Sequence, residues 1–351
     1  MKLLLFNPGW GGGVARFYSG LKKALTERGY EVDGFSLPPS RISRLSNPLV
    51  NQAFTGFLRR VGRRYDLVHT VGVSCSSFPY FVAISKLGRP PYVFTLHGSY
   101  RDELVRLKPV WGSIALRAME KTLEGSRAIT VPSKFLVDRI PEEFRWKTRV
   151  VPNGIYVEEV RGHPPTRKEE LRLPRRSKVF LSVTNFNYWD KCRGLEVLVE
   201  AFRRLDEPDA YLLIAGGGLY EPVFKPKLSG DRVVFLGYRK DIPGLMKMCD
   251  AYVHISFMDV MPYTVLEALA VGKPVVCNPV GGVPEMILDG VNGIIVRDVE
   301  ELVEAMQRVL DVDEARRLSV GALETSERFD WSNVVSEFEE VYVEVVHGDG
   351  L

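Results

Sequence analysis

One repeating feature constrains this chain more than any other: short apolar runs alternate with longer stretches of helical periodicity, and the whole series occurs twice. In the first half the strand candidates are Lys2 to Phe6, Glu31 to Phe35, Asp66 to Thr70, Tyr92 to Leu96, Ala128 to Val131 and Arg149 to Val151. Between the first two, Val14, Phe17, Leu21, Ala24 and Leu25 recur at helical spacing, and Gly29 closes the helix. Such alternation predicts βαβ units and a parallel sheet with helices packed on it.

The same grammar restarts after a polar stretch, Arg161 to Ser177, that contains Pro164, Pro165 and Pro174 and reads as a linker and lobe boundary. The second series runs through Val179 to Val183, Tyr211 to Ala215, Val233 to Leu236, Ala251 to Ile255, Pro274 to Cys277 and Gly293 to Val296. Helical patterns lie between them at Leu195 to Leu205, Pro262 to Val271 and Glu300 to Leu310. The expected fold class is therefore α/β, with two Rossmann-like, doubly wound parallel-sheet domains facing across a cleft. The expected boundaries are residues 1–160 and 161–330, with residues 331–351 forming an amphipathic helix that packs back on the first domain. A length of 351 residues suits two cores rather than one. Ligands of such sheets bind outside the carboxyl ends of the strands.

Composition narrows the function classes. No apolar run approaches the roughly 18 residues of a membrane helix, and Asn7-Pro8-Gly9 interrupts the opening MKLLLF too early for a signal core, so it reads as a strand. The four cysteines, Cys75, Cys192, Cys249 and Cys277, form no CxxC pair and no metal-ligand spacing with histidine, which predicts reduced thiols. The expected location is cytoplasmic, with room for peripheral attachment at the inner membrane face. Residues 1–150 hold 24 Lys and Arg against 11 Asp and Glu, a net +13, whereas residues 151–351 hold 23 against 33, a net −10. A positive half suits an anionic acceptor or an anionic lipid surface; opposite charges also help two lobes to close. Arg59, Arg60, Arg63 and Arg64 lie beside Phe54, Phe57, Leu58 and Val61, a pattern that fits either an anionic membrane surface or a solvated helix face. No nucleic-acid module accompanies this charge, so nucleic acid is not an expected partner.

Two motifs carry candidate chemistry. Gly11, Gly12 and Gly13 follow the first strand and open the first helix, where glycine lets the backbone approach a phosphate. The stretch from Ser256 to Glu267 sets Asp259 in the loop after a strand and Glu267 just over a turn into the next helix. Carboxylates accept hydrogen bonds from sugar hydroxyls, and the N–H groups of the intervening helix terminus suit a phosphate. That pattern describes a nucleotide-sugar cradle; a dipole-complementing aspartate and a solvated glutamate would share the same spacing.

The run continues as Glu267-Ala268-Leu269-Ala270-Val271-Gly272-Lys273-Pro274, then Gly281-Gly282-Val283-Pro284-Glu285, then Asp289-Gly290-Val291-Asn292-Gly293. This resembles the signature stretch of family-four retaining glycosyltransferases, the glycosyl transferases group 1 of the GT-B fold. Val151-Pro152-Asn153-Gly154-Ile155, Ala215-Gly216-Gly217-Gly218, Leu236-Gly237-Tyr238, Cys249-Asp250-Ala251 and His97-Gly98 resemble further pieces of that pattern in the same order.

The resemblance implies a metal-independent hexosyltransferase-like enzyme that uses a UDP-, GDP- or ADP-linked donor, retains the anomeric configuration and needs no other cofactor. Its acceptor, a glycan, lipid or small molecule, is left open. It implies that Asp259 touches donor sugar hydroxyls and Glu267 the nucleotide ribose, with backbone N–H groups near Met261 to Thr264 holding the sugar or diphosphate and Met261, Pro262, Tyr263 and Thr264 as donor-binding positions. The cation facing the diphosphate corresponds to Arg193, with Lys191 a close competitor, and Asn185 stands where the family has arginine. His97 and Asp259 are the candidate catalytic residues, and Gly12, Gly13, Asn153, Gly216 and Gly217 complete the donor-binding set. Three positions depart from the pattern: Asp259 for glutamate, Asn185 for arginine and Tyr156 for the aspartate that commonly follows VPNGI. Two other readings stay open: a sugar-nucleotide epimerase on the same fold, and a regulatory subunit that binds sugar nucleotides without turnover.

Overall fold

The structure is a computed structural model that describes residues 1–7, 12–36, 60, 63–72, 90–98 and 109–348. The strands are β1 (Lys2–Asn7), β2 (Glu31–Ser36), β3 (Leu67–Gly72), β4 (Tyr92–Leu96), β5 (Ala128–Val131), β6 (Thr148–Val150), β7 (Lys178–Val183), β8 (Ala210–Ala215), β9 (Val233–Gly237), β10 (Ala251–His254), β11 (Val275–Cys277) and β12 (Gly293–Ile295). The described α-helices are α1 (Gly12–Glu27), α2 (Pro109–Gly125), α3 (Lys134–Val137), α4 (Glu142–Arg145), α5 (Val157–Gly162), α6 (Trp189–Arg204), α7 (Glu221–Leu228), α8 (Ile242–Met248), α9 (Tyr263–Ala270), α10 (Val299–Arg308), α11 (Val312–Glu327) and α12 (Trp331–His347). Two compact units result, one of residues Met1–Gly154 with Trp331–Leu351, the other of Ile155–Asp330.

The first unit is a six-stranded sheet in the order β2-β1-β3-β4-β5-β6, and every pairing in it is parallel. Strands β3, β4 and β5 are buried along their whole length, which is why they read as unbroken apolar runs rather than as an alternation. Helix α1 buries Phe17, Leu21, Ala24 and Leu25, the stripe that its periodicity predicts. Helix α12 belongs to this unit and buries Trp331, Val334, Val335, Phe338, Val341, Tyr342 and Val345. Its Trp331 ring fills the space beside Gly20 and Gly154, where an added Cβ would lie 2.3 and 2.5 Å from the indole. Deeper in, the Tyr342 hydroxyl lies 2.6 Å from His69 Nδ1, and His69 Nε2 lies 2.5 Å from Thr95 Oγ1.

The second sheet runs β12-β11-β10-β7-β8-β9, again all parallel. Chain order reverses between β7 and β10, which pair through Ala251 with Phe180 and Tyr252 with Leu181. That is the topological switch point of a doubly wound sheet, where a crevice opens at the strands' carboxyl ends. The core beneath it is built from Phe180, Phe186, Leu195, Leu198, Phe202 and Ile214 among others. The proline-containing residues 161–177 lie inside this unit: Thr166 N–H donates to the Gly244 carbonyl and Arg161 Nε to that of Ala270. Among the described residues no helix is long and apolar enough to cross a membrane.

Candidate functional site

The carboxyl ends of β7 and β10 bring the chemistry of the second unit together. Strand β10 ends at His254, and the following loop turns through Ser256 to Asp259. Asn278, just past β11, clamps that loop from both sides: its Oδ1 accepts from Ser256 N–H at 3.0 Å and its Nδ2 donates to the Ser256 carbonyl at 2.8 Å. Ser256 Oγ in turn accepts from Met258 N–H at 3.3 Å. Gly281, with φ +56°, lies so close that a Cβ there would stand 1.9 Å from the Asp259 carbonyl oxygen, so only glycine fits this turn.

Helix α6 supplies the cation. It starts at Trp189, and Gly194 lets its first turns rest directly on the end of β10, since a Cβ there would meet the Ile255 carbonyl oxygen at 2.0 Å. The approach places Lys191 Nζ 2.5 Å from Asp259 Oδ1. The other oxygen, Oδ2, lies 3.3 Å from His254 Nε2, and both side chains are almost fully buried. Burial pushes the Asp259 carboxyl upward, but Lys191 and His254 more than offset it and hold the carboxyl well below the usual carboxylate range. Asp259 is thus an ionised acceptor, not a proton donor.

Of the two candidate cations, Lys191 is the one paired with Asp259, while Arg193 is exposed and its guanidinium lies 5.0 Å from the Phe257 ring centroid. Asn185 is exposed just past β7, and its Oδ1 accepts from Asn187 N–H and Nδ2 at 3.1 and 3.0 Å. Gly216 and Gly217 follow β8. A Cβ on Gly216 would stand 1.9 Å from the Thr184 carbonyl oxygen, which draws the glycine turn against the β7 end.

Helix α9 follows the loop. Met261, Pro262 and Tyr263 are buried and Thr264 is partly exposed. Pro262 is the N-cap residue and provides no side-chain cap, so the first amides of α9 are left to other acceptors. Glu267 is buried one turn further in, at 4% exposure. The Tyr252 hydroxyl ties these groups together: burial raises its pKa far above the ordinary range, and Thr264 and the charges of both Asp259 and Glu267 act on it. Asp259, Lys191, Thr264 and Glu267 therefore gather around one end of the second sheet.

The remaining predicted residues lie in the first unit. Gly12 and Gly13 form the start of α1, and Asn153 is buried beside the boundary. His97 follows β4 with its ring against Phe17 at 4.4 Å between centroids. Its Nε2 is buried and has no hydrogen-bond partner among the described residues, and burial pulls its pKa down to about 3, so the ring is neutral at physiological pH. Cys192, Cys249 and Cys277 are buried free thiols; Cys75, Arg59 and the apolar residues at 54, 57, 58 and 61 lie outside the described residues. Among the described residues, no cluster of three or more His, Cys, Asp or Glu could hold a metal ion.

Sequence reasoning missed His254. A single histidine in an apolar strand reads as core, and the one available signal was an aspartate five residues later, across a loop.

Two parallel α/β units, the second carrying an ion pair and a buried glutamate at its switch point, define the GT-B class of glycosyltransferases. Residues 177–312 match the family described as "Glycosyl transferases group 1" and residues 11–159 the one described as "Glycosyltransferase Family 4". The chain belongs to these glycosyltransferases. It is 28% identical to an uncharacterized glycosyltransferase of Methanocaldococcus jannaschii, over 94% of each chain. It is 30% identical over 194 residues to the N-acetyl-alpha-D-glucosaminyl L-malate synthase of Bacillus anthracis, covering 52% of this chain and 49% of that protein, about half of that relative's length. An Escherichia coli UDP-Gal:alpha-D-GlcNAc-diphosphoundecaprenol alpha-1,3-galactosyltransferase is 28% identical over 71% of this chain and 67% of its own. Among solved structures, a glycosyltransferase from Rickettsia africae superposes with a TM-score of 0.80 at 19% identity, over 99% of both chains. Anabaena HepE in complex with UDP-glucose superposes with a TM-score of 0.74 at 19% identity, over 97% of this chain and 98% of that one.

Proposed function

We propose that this chain transfers a sugar, with retention of anomeric configuration, from a nucleotide-sugar donor held by its second unit. The observation that carries this reading is the Lys191–Asp259 pair at the switch point, a cation and an ionised acceptor close in sequence to the start of α9, whose N-cap residue makes no side-chain cap hydrogen bond. In this reading the donor diphosphate takes Lys191 and the α9 amides, Asp259 accepts from sugar hydroxyls and Glu267 from the ribose. Arg193 and Asn185 flank the diphosphate, Gly216 and Gly217 give the nucleotide backbone room, and His97 keeps the sugar-side role that the resemblance assigns. The bond from the anomeric carbon to the diphosphate breaks, and the acceptor hydroxyl supplies the new one while its proton leaves with the nucleoside diphosphate. Charge that builds on the leaving group is what the cation and the helix dipole neutralise.

UDP-glucose is the donor to test first, because a structure of the same fold was obtained with it. The acceptor we infer is anionic or lipid-linked. The net +13 of residues 1–150 supports that class, as does the diphosphate lipid acceptor in the name of the Escherichia coli relative.

Thermal-shift and calorimetric titration with UDP, GDP, ADP and their sugar conjugates test the donor reading. A ligand at 100 times its Kd raises stability by about 2.7 kcal/mol. The absence of both binding and hydrolysis across the whole panel would sink the proposal. An inverted product would refute retention, a new free sugar nucleotide would mark an epimerase, and binding without turnover on any acceptor would mark a regulatory subunit.

A further inference from the structure

We propose that His254 is the positioning residue that fixes the carboxylate of Asp259 for the donor sugar, a role that rests on the donor reading above. The geometry begins with the cost of placing an imidazole at the end of an otherwise apolar, fully buried strand. His254 is 6% exposed, and its Nε2 has no hydrogen bond of good geometry, standing 3.3 Å from Asp259 Oδ2 at ion-pair range. Its other nitrogen, Nδ1, lies 3.4 Å from the Tyr252 hydroxyl. Buried Tyr252 also feels the charges of Asp259 and Glu267. A buried line of polar groups thus runs from Tyr252 through His254 to the carboxylate.

Asp259 is held at three places. Lys191 meets Oδ1, His254 faces Oδ2, and the Gly281 turn presses on its backbone carbonyl. An ionised carboxylate offers about four acceptor positions. Lys191 occupies one on Oδ1 and His254 faces Oδ2 at ion-pair range, which leaves acceptor positions on both oxygens to receive a pair of hydroxyls. A lysine on a flexible stem can swing away when a diphosphate arrives, whereas the imidazole is fixed to the strand. His254 therefore keeps the aspartate in a single rotamer at the moment Lys191 changes partners. Pre-organisation of this kind improves binding of the group that is gripped, here the sugar, and leaves the nucleotide's own contacts alone.

The test separates sugar from nucleotide. Calorimetric titration of UDP-glucose and UDP is compared across wild type, His254→Leu, which fills the space without a donor, and His254→Gln, whose amide restores one near the Nε2 position. For His254→Leu we expect UDP-glucose binding to weaken about tenfold, the scale of a sub-ångström misplacement, with UDP within about twofold of wild type. His254→Gln should recover most of the loss. Equal losses for UDP and UDP-glucose, or no recovery by glutamine, would make His254 merely structural and overturn the proposal. NMR of the imidazole, assigned by its absence in His254→Leu, provides a readout that needs no donor: Asp259→Asn should move its resonances, and an unmoved ring would overturn the contact itself. If wild type binds neither ligand while Asp259→Asn still moves the ring, the donor reading fails, and the sugar-positioning role fails with it, but the pairing of His254 with Asp259 stands.

Discussion

At the scale of single residues the second unit turns on one charge. Asp259 is shorter than the glutamate of its family, yet it is buried, ionised and braced by Lys191 and His254. Asp259→Asn keeps the shape and removes the charge. Hydrogen bonds to charged groups contribute about 1.5–3 kcal/mol, so kcat/KM is expected to fall roughly 10- to 150-fold, measured by steady-state transfer or donor hydrolysis. The same substitution has a defined pH signature. The folded pKa of Asp259 lies below its unfolded value of about 3.9, so its contribution to stability is complete above that value and is lost as pH falls through the folded pKa. Denaturant titrations should therefore show a constant stability gap between wild type and Asp259→Asn from about pH 5 to 8 that closes below about pH 4; a gap that varies between pH 5 and 8 would assign the titration to another group.

At the scale of elements, apolar runs made the strands legible: β4 and β5 span the predicted residues, and the rest differ by a residue or two at one end or, in β3 and β6, at both, because a sheet buried on both faces writes itself as unbroken hydrophobic sequence. Helix α6 was half legible. Its Leu195 to Leu205 portion has a clear periodicity, but Trp189 to Gly194 mixes charge, aromatic and glycine, and the reason for the mixture is tertiary: Gly194 exists to touch Ile255. Residues 161–177 read as punctuation because proline marks turns, and their packing onto Gly244 and Ala270 has no local signature. Asp259 and Glu267 were singled out as candidates by a spacing that a solvated pair would share, and His254 was not singled out, because proximity across a loop is not written in any period. Gly194→Ala is accordingly predicted to destabilise by about 1–3 kcal/mol through overpacking and to separate Lys191 from Asp259, read as a lower Tm together with weakened UDP binding. In the first unit, α12 is tied to β3 by Tyr342 and His69. Tyr342→Phe leaves the buried His69 Nδ1 without that partner and should cost about 1–3 kcal/mol. His69 itself has its pKa lowered to about 3 by burial, with His97 adding to the effect. A histidine lowered in this way stabilises the fold fully above its unfolded value of about 6.5, and the contribution drains away as pH falls toward 3. Unfolding free energies measured from pH 7 to 4 should therefore decline, at up to about 1.4 kcal/mol per pH unit from this residue, with a shallower decline in His69→Gln.

At the scale of the whole molecule the sequence is electrically divided, +13 over residues 1–150 and −10 over the rest, and the division has a consequence that neither half's chemistry requires. Arg60, Arg63 and Arg64 are exposed on the basic unit. An anionic lipid surface attracts such groups at about 1 kcal/mol for each one near it, and the attraction reaches only as far as the Debye length, about 10 Å at 0.1 M salt and about 3 Å at 1 M. Sedimentation with vesicles of phosphatidylcholine, with and without phosphatidylserine, checks whether this field is used. Binding should require phosphatidylserine, weaken steeply as salt rises, and be lost when Arg60, Arg63 and Arg64 are changed together to Glu. Because those residues and the Lys191–Asp259 pair belong to different units, the triple variant should bind UDP-glucose as wild type does. Vesicle binding that survives both high salt and the triple substitution would show that apolar insertion, not charge, holds the protein to lipid.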